Sequence, residues 1–162
     1  MLELITISEV NDALAEMVAS FRVELRSYKG IVSRTNVDAG REEMDEYLSA
    51  GFPVFVAMVD GKYAGYVVCR VDSEVVWVES IFVKEEYRRH GIATALHSKA
   101  EEIAAFYGEN TVYNYVHPNN HRMIEFLRKR GYTVLNLIEI RKPYEGEQFT
   151  QTISVGDHYF DY

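Results

Sequence analysis

The chain has 162 residues, 48% of them hydrophobic, and a formal net charge of −8, which is enough for one domain with a real core and too little for two of ordinary size; residues 1–162 are read as a single domain. The acidic balance argues against a general nucleic-acid binder, whose affinity comes from neutralising phosphates with Lys and Arg, and suits a cationic partner. No apolar run approaches the ~18 residues of a membrane span, the N-terminus alternates like a strand rather than a leader, and lone Cys69 cannot form an internal disulfide, so a cytoplasmic protein without membrane association is expected.

In chain order, Leu2 to Ile7 reads as a strand. A helix follows, carrying Leu14, Met17, Val18, Phe21, Leu25 and Tyr28 at helical spacing and stopped by Gly30. Asp38 is the expected cap of a second, acidic helix that closes at Gly51 and Pro53. Pro53 to Val59 and Lys62 to Val71 read as strands joined by the hairpin signal Asp60-Gly61, and Val75 to Val83 continues the meander. From Ala93, the apolar positions Leu96, Ala100, Ile103 and Ala104 predict a helix that Gly108 stops. Thr111 to Val116 then reads as a strand, parallel to and adjacent to Val75–Val83, because strand, helix and strand over this distance make a crossover. Asn119-Asn120 open a last helix, Gly131 closes it, and Tyr132 to Ile140 and Thr150 to Val155 are the remaining predicted strands.

The chemistry concentrates where Val83 ends a strand and Arg88-Arg89-His90-Gly91-Ile92-Ala93-Thr94 opens a helix. A helix N-terminus presents unpaired N–H groups and the positive end of a dipole, and two arginines before it complete a site suited to a pyrophosphate. Gly91 removes the Cβ that would obstruct the approach to those amides.

Arg88-x-x-Gly91-x-Ala93 resembles the Arg/Gln-x-x-Gly-x-Gly/Ala signature of the GNAT family of N-acetyltransferases, and Asn119-Asn120 and Phe126 to Tyr132 follow at that family's distances. The resemblance implies a mixed α/β fold: a central, mostly antiparallel sheet flanked by helices, with a splayed parallel strand pair at the cofactor site. It implies acetyl-CoA as cosubstrate, with Arg88, Arg89, His90, Gly91, Ile92, Ala93 and Thr94 at the phosphates, Ile81, Phe82 and Val83 along the pantetheine arm, and Asn120, seven residues before Leu127, bonding that arm. An ordinary helix cap is the alternative role for Asn120. Copies of the family pair through C-terminal strands, so a homodimer through the tyrosine-rich end Tyr159 to Tyr162 is an open expectation; covering the chain's own core is the other.

The expected reaction is direct transfer of acetyl to a primary amine through a tetrahedral intermediate, the thioester carbonyl polarised by a backbone N–H near Val83. An alkylamine has a pKa near ~10.4 and must lose a proton first. Glu79, ionisable in an otherwise apolar strand and set in a Val-Glu-Ser-Ile-Phe-Val run similar to polyamine-type members, is the expected base; a structural pairing with an arginine is the alternative. The acceptor is expected to be a cationic small amine, a polyamine, or a peptide or protein amine. Leu127 stands where many members carry a tyrosine that reprotonates the leaving thiolate; Tyr113, Tyr115 and Tyr132 are substitutes among which nothing in the sequence selects, core packing being the more ordinary role of each, and the departure motivates a second reading, a non-catalytic acyl-CoA-binding regulatory module. His117 and His121 have no further Cys or His at zinc spacing, and no metal is expected.

Overall fold

A computed structural model describes residues 1–162. The chain divides into two units, Met1–Phe126 and Leu127–Tyr162.

The first unit is built on a five-stranded sheet of order β1-β2-β3-β4-β5. Strands β1 (Leu2–Thr6), β2 (Val54–Val59), β3 (Lys62–Asp72) and β4 (Val75–Val83) form an antiparallel meander, and β5 (Tyr113–Asn114) runs parallel to β4. Two-residue turns are possible because both central residues take positive φ, at Asp60 (48°) and Gly61 (78°) and again at Ser73 (50°) and Glu74 (71°); this geometry matches the right-handed strand twist. Sequence reading expected β5 to run from Thr111 to Val116. Only two residues of it, Tyr113 and Asn114, join the ladder.

Helices α1 (Asp12–Ser27) and α2 (Val37–Ser49) cover one face of the sheet. Asn11 caps α1 by accepting from the Leu14 N–H at 2.9 Å. The cap of α2 is Asn36, not Asp38, accepting from the Ala39 N–H at 3.0 Å. Asp38 falls instead in the first turn, where a carboxylate complements the helix dipole. Leu14, Met17 and Val18 of α1 and Met44 of α2 pack with Val54, Val56, Tyr66, Val68 and Phe82. Fully burying an aliphatic side chain is worth about 1.5–3 kcal/mol, so this cluster is the main stabilising mass of the unit. Helix α3 (Ile92–Phe106) lies on the opposite face, presenting Leu96, Ala100 and Ala104: a Cβ on Gly65, which alternates with Tyr66 along β3, would meet Leu96 at 3.2 Å.

The second unit begins within α4 (His121–Lys129) and contains the hairpin β6 (Thr152–Val155) and β7 (His158–Asp161) around Gly156-Asp157. An earlier turn is closed by Arg141, which donates to both carboxylate oxygens of Glu147 at 2.8 and 2.6 Å, while the Tyr144 N–H donates to the same carboxylate at 2.8 Å. Residues 132–140, expected as a strand, form none. Val134 and Leu137 are 88% and 78% exposed. Their composition suits a sheet, but β-structure exists only where a partner strand supplies the other half of each hydrogen bond.

Gly40 sets the approach of α2 to α1, since an added Cβ would lie 2.4 Å from the Ala15 carbonyl oxygen and 2.8 Å from the Ala19 nitrogen. Gly40→Ala is therefore expected to destabilise the protein by about 1–3 kcal/mol despite its better helix propensity. Urea unfolding checks this: an unchanged or raised midpoint would mean that the two helices separate freely.

Candidate functional site

The turn after β4 is held by backbone bonds: Lys84 N–H to Ala64 O at 2.9 Å, then Tyr87 to Lys84 and Arg88 to Glu85 through one 3₁₀ turn. Arg89 and Gly91 both take left-handed conformations, φ 65° and 78°. Gly91 is the N-cap of α3 and has no side chain to satisfy the first amides of that helix. A Cβ placed on Gly91 would meet nothing within 4 Å, so the ground above these amides is open. The chain around Gly91, Ile92, Ala93 and Thr94 thus offers a concave row of N–H donors of the kind that receives phosphate oxygens.

Arg88 has a different part from its neighbours. Its Nε donates to the Val83 carbonyl at 2.8 Å, its Nη2 to Glu24 at 2.7 Å, and its guanidinium lies 5.6 Å from the centre of the Phe82 ring. The side chain braces the turn against β4 and α1. Arg89 and His90 are both exposed, so the positive charge available at the open face is that of Arg89 and α3.

At the other end of β4 the sheet forks. The only rungs to β5 are Trp77↔Tyr113 and Val78↔Asn114. From Glu79 onward the β5-facing edge of β4 has no strand opposite. On its other side, β3 pairs Val68 with Ser80 and Cys69 with Val78, which leaves Glu79 as the extra residue of a bulge. This irregularity, rather than Val83, is where the ladder is interrupted. Val83 pairs regularly with Gly65 and its carbonyl is occupied by Arg88.

A cleft enters the fork, lined by Phe21 and Leu25 of α1, Val78 to Ile81 of β4, Asn114 to His117, Asn120 and Met123. Glu79, Ile81 and Asn120 therefore line one cleft. Phe82 and Val83 are buried, and Phe82 packs on Phe21 at 5.6 Å and Tyr66 at 6.3 Å, so these two can serve a ligand only through backbone. Asn120 caps α4, its side-chain oxygen accepting from the Met123 N–H at 3.1 Å. What it can still offer a ligand is its amide N–H.

Three groups that sequence reading did not single out organise this cleft. Arg70 donates from Nε to Glu79 at 3.0 Å and from Nη2 to the Tyr115 hydroxyl at 3.1 Å, with its guanidinium 4.3 Å from the centre of the Trp77 ring. Glu24 joins Arg88 to Arg122 of α4 (3.1 Å) and accepts from Tyr28 at 2.8 Å; burial, then that carboxylate, pushes the Tyr28 phenol up to about 12. His97, fully buried in α3, bonds the Asn114 side chain at 3.0 Å, and Asn114 donates to the Val112 carbonyl at 3.1 Å, which pins β5 at the last rung. His97 stands in the same helical stripe as Leu96, Ala100 and Ala104; a histidine in an apolar stripe was the available signal. Cys69 is no nucleophile, because burial pushes its thiol up to about 12.

His117 stacks on Tyr28 with ring centres 6.0 Å apart, and its Nδ1 accepts from the Asn119 N–H at 3.1 Å. Burial, with the Lys29 charge adding to it, holds its pKa below the usual 6.5. A histidine depressed in this way contributes its full stability above that pH and loses it as the pH falls through 6.5 toward the folded value, because the unfolded chain takes up the proton first. The thermal midpoint should therefore fall less between pH 7 and pH 5 in His117→Phe, which keeps a ring against Tyr28, than in the parent. Equal slopes would assign the acid sensitivity to other groups.

The model of the acetyltransferase (GNAT) family matches residues 19–132. A curated relative, the uncharacterized N-acetyltransferase MJ1207 of Methanocaldococcus jannaschii, is 36% identical over 85 residues, covering 48% of this chain and 38% of that protein; the chain thus spans well under half of that relative's length. Among solved structures, the aminoglycoside N-acetyltransferase AAC(6')-Iy in complex with CoA superposes with a TM-score of 0.66 at 22% identity, over 88% of this chain and 95% of that one. PH1933 from Pyrococcus horikoshii OT3 gives 0.66 at 21%, over 86% and 94%. At these identities the two structures establish the fold, a mixed sheet flanked by helices. With the family model spanning both the fork and the turn, the chain belongs to the acetyltransferase (GNAT) family.

Proposed function

We propose that this protein transfers the acetyl group of acetyl-CoA to a primary amine by direct attack. The observation that carries the reading is the single edge of β4: it has no partner strand from the bulge at Glu79 to Val83, whose carbonyl Arg88 takes, and leads to the open amides of α3 beyond Gly91. An extended pantetheine arm suits the unpaired edge, because strand-like hydrogen bonds satisfy backbone groups that otherwise need water. The pyrophosphate suits the helix N-terminus. The thioester then falls at the fork, beside the Glu79 carboxylate. Residues Ile81, Phe82 and Val83 would contribute through backbone, Asn120 through its amide, and Arg89 through charge. Arg88 would keep the turn in shape.

Related structures support this. One AAC(6')-Iy structure holds CoA and another a bisubstrate analog, CoA-S-monomethyl-acetylneamine. For the chemistry, Glu79 accepts the proton of the attacking amine, and a backbone N–H released by the bulge polarises the acetyl carbonyl, in place of one near Val83. The acceptor is cationic: the chain carries a net charge of −8, and Glu79 stands in the cleft. A small amine, a polyamine and a peptide amine all meet this requirement. The Glu79–Arg70 pair and Leu127 favour the second reading, an acyl-CoA-binding module without turnover.

Release of free thiol from acetyl-CoA over a panel of amines, with two variants, separates these. Glu79→Gln is expected to lower kcat by about 10²-fold or more with acetyl-CoA affinity retained. Gly91→Val, forced into a left-handed conformation that costs about 1–2 kcal/mol and capped by a branched side chain, is expected to weaken acetyl-CoA binding at least ~10-fold and to remain folded. Acetyl-CoA binding without release for any amine would establish the binding module; absence of binding would overturn both readings.

The chain is also proposed to pair with a second copy. Val134, Leu135, Leu137 and Ile140 are 64–88% exposed, a run of exposed apolar side chains of the kind that marks interaction surfaces. Sedimentation velocity is expected to give twice the 18.7 kDa chain mass; a single-chain mass would end the proposal.

A further inference from the structure

Resting on the acetyl-transfer reading, we infer that Tyr115 is the proton donor to the leaving thiolate, and that Arg70 is the positioning residue that holds donor and base across the fork. Leu127 carries no proton, so a donor must come from elsewhere. Val78↔Asn114 is the last rung between β4 and β5. Glu79 follows that rung on β4 and Tyr115 is the first residue past β5, and both line the cleft. Arg70 spans the gap, bonding Glu79 at 3.0 Å and the Tyr115 hydroxyl at 3.1 Å. Because the guanidinium only donates, the Tyr115 oxygen accepts, and its own proton is left to point elsewhere.

The other tyrosines near the sheet are unsuited. Tyr66 is fully buried and bonded to Ser80, Tyr47 donates to Glu43, and Tyr113 packs its ring on Trp77 at 5.5 Å. Tyr115 is 65% exposed, so water can restore its proton after each cycle.

The step balances as follows. The neutral amine nitrogen adds to the acetyl carbon and a C–N bond forms. Glu79 takes one proton from that nitrogen. The C–S bond breaks with its electron pair going to sulfur, and the Tyr115 O–H proton passes to that sulfur, giving free CoA thiol. The phenolate left behind faces the Arg70 guanidinium, whose charge opposes it. Glu79 then loses its proton to water and Tyr115 regains one, which resets both groups. Trp77, stacked under Arg70 at 4.3 Å, adds a second contact that keeps the guanidinium at its post beside the partly buried Glu79 pair.

The test compares parent, Tyr115→Phe, Arg70→Lys and Arg70→Met for kcat, KM and their pH dependence, with the best amine found for the parent. Tyr115→Phe is expected to lower kcat about 10²-fold with KM for acetyl-CoA unchanged, and to abolish the alkaline fall in kcat that a proton donor imposes. Arg70→Met should lower kcat and move both limbs of the profile. Arg70→Lys, which keeps charge but not the two-pronged geometry, should recover only part of the loss. A folded Tyr115→Phe with the parent's kcat and alkaline limb overturns the assignment and leaves acetyl transfer standing. A parent inactive with every amine overturns both. Should Tyr115→Phe fail to fold, as its 65% exposure argues against, the two Arg70 variants decide: pH limbs unmoved in Arg70→Met overturn the inference.

Discussion

The site depends on a strand that stops pairing. β5 keeps two rungs with β4 and then leaves it, because Asn114 is tied to His97 and to the Val112 carbonyl and because Pro118, a few residues on, has no N–H for a ladder. The opposite edge of β4 is left with unpaired backbone groups, and these must find water or a ligand. A bulge at the same level releases Glu79 from β3 as well. Both irregularities fall at one point, and a sheet that is otherwise regular opens there into a cleft.

Around this opening the charges are arranged in short chains. Glu79, Arg70 and Tyr115 cross the fork; Glu24 bridges Arg88 and Arg122, joining α1 to the turn before α3 and to α4. Each carboxylate is half-exposed or less, so its pairs are screened less than surface pairs yet remain hydrated enough to avoid the full penalty of burial. Their value is geometric. They fix the walls of a cleft whose own backbone does not pair across it, while the cluster of Leu14, Met17, Val18, Met44 and Phe82 holds the sheet beneath.

Much of this was legible in the chain. The hairpin at Asp60-Gly61, the stripe of α1 and the glycine at the mouth of α3 are local signals, each read from neighbours along the chain. Other expectations did not survive contact with the fold. Asp38 gave way to Asn36 because two good capping residues stood close together and only the path of the backbone chooses between them. Tyr132 to Ile140 has a strand's composition and no strand opposite.

The amino-acid sequence by itself determined the family resemblance, most of the order of the elements and the glycine turn that opens α3, and it nominated Glu79, since each rests on neighbours along the chain. Only the tertiary structure decided what Glu79 touches, that Arg88 braces rather than faces the open ground, and that Tyr115 shares an arginine with Glu79. Those contacts join residues as far apart as Glu24 and Arg88, 64 positions along the chain. No local pattern encodes such a pair, because its partners are brought together by sheet register and by one bulge, and shifting that register by a single residue would send each side chain to the other face.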